Sequence, residues 1–117
     1  MSKIAKFFSI LAAELVDAKD ELEGSIDKVR TAREKEACTE YVRRENEALY
    51  RSEVSAIRDF QREISLRETG EYASVDEAVA AVSSLIEDKV TLGNYPELMA
   101  DFLRRKINNV WSFVEER

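Results

Sequence analysis

The sequence predicts an all-α protein, a four-helix bundle-like single domain spanning residues 1–117. Three observations carry this. Only three glycines and one proline stand in 117 residues, which leaves little material for turns and calls for few, long elements. Ala, Leu, Glu and Arg, all good helix formers, are abundant. Apolar residues recur at three- and four-residue steps, the period of one helical face.

A first helix is expected over about 3–23. Ile4, Phe7, Phe8, Leu11, Leu15, Ala18 and Leu22 form its apolar stripe. The opening run MSKIAKFFSILAAELV loosely resembles a leader, with two lysines ahead of an apolar stretch. Glu14 interrupts it and no small-x-small cleavage site follows, so it is read as a core helix. The run is also far too short to span a bilayer. Gly24 suits a C-terminal position and Ser25 an N-cap; one kinked helix through Gly24 is the competing reading.

The second helix is expected over about 26–68, with no Gly or Pro inside it. Glu40–Arg44, Glu47–Arg51 and Glu63–Arg67 place Glu four residues before Arg and read as a solvated face. In heptads, Val42, Leu49 and Ala56 share one seam position and Cys38, Glu45 and Ser52 the other, a seam too polar for a strong coiled coil. A straight helix of this length runs ~65 Å. A compact chain of this size has a radius of gyration of only ~13 Å. Such a rod therefore bends or is covered by another chain. The favoured reading is a homodimer in which a second copy covers the overhang, with Phe7, Phe8, Leu11, Cys38, Val42, Glu45 and Leu49 at the interface. A break near Arg43-Arg44-Glu45-Asn46, giving a monomeric five-helix bundle, is the alternative.

Thr69-Gly70-Glu71-Tyr72 reads as a turn. Ser74-Val-Asp-Glu77 then fits a capping box that opens a third helix over about 75–90. Leu92-Gly93-Asn94 ends that helix. Pro96 suits the first turn of the fourth, about 96–115, whose stripe is Met99, Phe102, Leu103, Ile107, Val110 and Val114.

For function the chain is informative mainly by exclusion. It has no histidine, hence no histidine base and no Ser-His or Cys-His pair. Its glycines stand apart, so there is no phosphate loop. A net charge of −6 disfavours nucleic acid and anionic membranes as partners. Arg104-Arg105-Lys106 spreads around its helix rather than forming a patch. Cys38 is the single cysteine, which fits a reducing cytoplasm and leaves neither an intrachain disulfide nor a zinc cluster. The leading expectation is a non-enzymatic interaction, adaptor or regulatory module without cofactor, assembling through its long helix. The alternative is a Mg²⁺-dependent hydrolase with nucleotide pyrophosphohydrolase-like chemistry, using Glu14, Asp17, Asp20 and Glu21, whose spacing sets acids on one helical face. It needs a second acidic pair on a neighbouring helix, and Glu97 and Asp101 are offset. A third reading is peripheral membrane contact through Phe7, Phe8, Lys3 and Lys6, without stable insertion. Glu45 and Glu63 fall near the apolar stripe of the second helix and would there require a partner arginine or a proton; the alternative is that the stripe twists around a supercoil and carries both to the solvated rim.

Overall fold

The computed structural model describes residues 2–34, 39–67 and 69–116. Among them the fold is all-helical: α1 Lys3–Glu34, α2 Glu40–Ser65, a single 3-10 turn Thr69–Glu71, α3 Val75–Thr91 and α4 Glu97–Glu115. The expected rod over 26–68 does not form. Residues 26–34 continue α1, which runs unbroken through Gly24, and α2 starts afresh at Glu40. Gly24 lacks the positive φ of a terminating glycine, and open space lies where its Cβ would stand, so it is an ordinary interior position of the first helix. Thr39 opens α2 instead: its extended backbone and its side chain, which accepts a hydrogen bond from the Val42 N–H at 3.2 Å, make it an N-cap. The two helices then fold back on each other, which buries more apolar surface than a straight rod. Cys38 lies outside the described residues.

Ion pairs between helices give the topology. Glu23–Arg58 and Arg30–Glu47 run α1 antiparallel to α2, and Lys3–Glu115 and Glu14–Lys106 run α1 antiparallel to α4. Lys89 of α3 reaches Asp59 and Glu63 of α2 at 3.0 and 3.7 Å. Glu63, one of the two glutamates near the apolar stripe, thus finds its counter-charge in an intrachain lysine.

The core draws on Phe7, Phe8, Leu11, Leu15 and Ala18 of α1, and on Ala56, Ile57, Phe60 and Ile64 of α2. The inner faces of α3 and α4 complete it. Phe7 and Phe8 meet edge to face, and Phe8 stacks on Tyr72 beside the 3-10 turn. Ser74 caps α3 as expected: its Oγ accepts from the Glu77 N–H, and the Glu77 carboxylate accepts from the Ala73 N–H, one residue ahead of the N-cap, a variant of the capping box. Gly93, at φ 77°, closes α3. Its N–H donates to the Val90 carbonyl and that of Asn94 to the Lys89 carbonyl, a Schellman turn.

All of this core lies in one half of the α1–α2 pair. The other half, about 19–34 of α1 and 40–55 of α2, projects beyond α3 and α4 as a two-helix arm. The molecule measures 54 × 30 × 21 Å with a radius of gyration of 16.5 Å, well above the ~13 Å of a compact chain this size. No helix of the described residues is long and apolar enough to cross a membrane.

Candidate functional site

The arm has a polar interior. Glu47, 8% exposed, is the buried charged residue among those described. Its carboxylate is shared by three guanidinium groups: Arg30 across the hairpin at 3.1 Å, Arg43 one turn back at 3.0 Å and Arg51 one turn on at 3.9 Å. Burial pushes the Glu47 carboxyl up, but the hydrogen bonds from Arg43 and Arg30 outweigh this and hold it below the usual range. Arg43 is raised in turn by its hydrogen bonds to Glu40 and Glu47. In sequence Glu47 reads as one member of a solvated Glu–Arg pair. The missed signal is that arginines flank it on both sides, at i−4 and i+4.

The outer side of the arm is apolar and uncovered. The seam Val42–Leu49–Ala56 begins inside the core at Ala56 and runs outward into solvent, where Leu49 is 50% and Val42 42% exposed. Tyr41, 72% exposed, flanks it, and Glu45 lies on the same face, also exposed. Phe7, Phe8 and Leu11, by contrast, are covered within the chain and present no face to a partner or a membrane.

A second feature opens on another side of α2, along the groove between α1 and α2. There Arg30, Arg51, Arg58 and Arg62 line an open cleft of about 930 Å³, closed at the core end by Asn94 and Tyr95 of the α3–α4 turn. Asp59 anchors that end. It accepts the Tyr95 hydroxyl at 2.8 Å and pairs with both Lys89 and Arg62. Burial raises the Asp59 carboxyl, and the Tyr95 and Lys89 hydrogen bonds more than reverse this, leaving it lowered. Burial and the Asp59 carboxylate both push the Tyr95 phenol up.

The acidic residues of the hydrolase reading do not converge. Glu14 accepts a hydrogen bond from Lys106 at 3.1 Å, while Asp17, Asp20 and Glu21 are exposed along α1. Among the described residues no group of three His, Cys, Asp or Glu side chains is disposed to hold a metal ion. In the basic run of α4, Arg104 pairs with Glu87 and Asp101, and Lys106 with Glu14. Comparison with protein-family models, with curated proteins and with solved structures finds no match, so function is read from this molecule's own residues.

Proposed function

We propose that the protein is a non-enzymatic protein–protein interaction module, an adaptor or regulator, that assembles as a homodimer through the outer face of α2. With α1 and α2 folded into a hairpin, no overhanging rod calls for a second copy. What supports the reading is the Val42–Leu49–Ala56 seam, continuous with the core yet unsheltered along the arm. The single cysteine of the chain fits a cytoplasmic module.

The seam is self-complementary. With a twofold axis at the Glu45–Asn46 step and the two α2 helices antiparallel, Val42 of each copy faces Leu49 of the other. Tyr41 then covers Ala48, and the Asn46 amides lie close enough to pair. The two arms together form the four-helix layer that neither builds alone. Glu45 is the costly element, since its two copies meet near the axis, and a polar seam residue of this kind sets register at the expense of affinity. Covering a half-exposed Leu or Val contributes on the order of 1 kcal/mol, about half the value for full burial. Four such side chains barely offset the ~4 kcal/mol lower bound for lost translation and rotation. The dimer is therefore weak and forms in proportion to concentration.

Light scattering after size exclusion, from low micromolar to submillimolar protein, tests this. The mass is expected to climb towards twice that of the chain. Leu49→Asp holds it at the chain mass with an unchanged helical circular dichroism spectrum, and Glu45→Gln shifts the rise to lower concentration. A wild-type mass that stays at one chain throughout refutes the dimer.

A further inference from the structure

The outer seam of α2 carries acids and no cation. Arg43, Arg44 and Arg51, the arginines of the arm half of α2, stand off the seam and bond Glu40 and Glu47. Arg30, reaching over from α1, bonds Glu47 as well. Glu45 and Glu53 are left on the seam beside Val42 and Leu49. Among the described residues no hydrogen bond or ion pair reaches either carboxylate. In a single chain Glu45 is exposed, so water serves its charge.

The proposed twofold changes those surroundings. With the axis at the Glu45–Asn46 step, the two Glu45 side chains lie at nearly the same height on one flank of the contact, and the two Asn46 side chains on the other. By the ~100° step of the helix, the Glu45 flank also carries Tyr41, Ala48 and Ser52. The nearest cation of α2 is Arg44, held by Glu40. α1 packs on the Asn46 side of the helix. There Arg30 is held by Glu47 and Glu23 by Arg58, while Asp27 and Lys28 are exposed to water. The second copy turns to Glu45 its own Glu45, Asn46, Ala48 and Leu49, and again no cation. Two carboxylates brought together in this way hold one proton between them more firmly than either does alone. We infer that self-association through the seam is proton-linked: the two copies of Glu45 take up a shared proton as the dimer forms, so acidification tightens it. The inference rests on the proposed homodimer and adds its regulation. Glu53 is not part of the shared site. It lies at the far end of the contact, opposite the start of the second copy's α2, where a helix N-terminus favours negative charge. Burial raises its carboxyl in the single chain, so association acts on it with the opposite sign. Glu47 and Asp59, both held below the usual range, stay charged until the solution is more acidic still, so the arm keeps its own ion pairs while the seam responds.

The test is sedimentation equilibrium of the full chain and of Glu45→Gln at about pH 7.5 and about pH 5.5, up to submillimolar protein. Glu45→Gln should tighten the dimer at both, and by roughly three- to tenfold more at the higher pH, because at the lower one the wild-type pair already shares its proton. Glu53→Gln should not reproduce that difference. Neither should Asp20→Asn/Glu21→Gln, which removes exposed charges of α1 away from the seam; the same difference there would assign the effect to net charge and overturn the switch. An equal gain from Glu45→Gln at both pH values overturns the switch and leaves the dimer standing. A mass of one chain for wild type and Glu45→Gln under every condition overturns the dimer, and the switch with it.

Discussion

Glu47 shows how one residue can organise a segment that has no hydrophobic core. A buried carboxylate is tolerated only when paired, and here one pairs with three arginines, two from its own helix and one from α1. The same chemistry recurs at Asp59, where Lys89, Arg62 and Tyr95 converge. Both carboxyls sit below their ordinary values in the folded chain. The sign follows: the folded state binds their protons less readily than the unfolded state does. Their contribution is complete above the unfolded values and is lost as pH falls through the lowered folded ones, from about pH 5 downwards. Glu53, raised by burial, has the opposite sign and offsets part of this loss. Urea midpoints measured across this acid range should fall with pH, and Glu47→Gln should flatten the curve while lowering the midpoint near neutrality. An acid limb as steep in the variant as in the wild type would remove Glu47 from the account.

At the scale of the element, two glycines of similar appearance in the sequence do opposite work. Gly93 occupies the left-handed region that ends α3, so Gly93→Ala should cost about 1–2 kcal/mol. Gly24 sits inside α1 with open space where a Cβ would go, so Gly24→Ala should stabilise by about 0.5–1 kcal/mol. Urea denaturation of both variants checks the pair; destabilisation at both would mean that α1 breaks at Gly24 after all. The helices with chemical punctuation were legible in the sequence: Ser74 and Glu77 marked the start of α3, Gly93 its end, and Pro96 the start of α4. The break between α1 and α2 was not, because the residues from Ile26 to Glu68 include neither Gly nor Pro and most favour helix. Thr39 was its one local cue. Helix propensity of a few tenths of a kcal/mol per residue cannot resist the burial gained when two stripes meet. The site was legible only in part. Val42, Leu49 and Glu45 were placed on a seam that is exposed, whereas the buried charge at Glu47 and the arginine groove depend on which faces α1 covers.

Across the whole molecule, stability should be graded. The core half carries the buried aromatic and aliphatic side chains, while the arm has Ile26 and Val54 outside that cluster and ion pairs inside. Amide hydrogen exchange should therefore be slow in α3, α4 and the Phe60 turn of α2. It should be faster by orders of magnitude over 40–52, where local opening exposes little apolar surface. Raising the protein concentration should slow exchange in that stretch alone if a second copy shelters it. Uniform exchange along α2 would contradict the gradient. The unbroken course of α1 has a mechanical consequence. At 32 residues it is ~48 Å of stiff beam shared by both halves. A load on the tip of the arm therefore acts on a lever whose other half is clamped at Phe7 and Phe8, and a tilt imposed at the tip arrives as torque on that clamp.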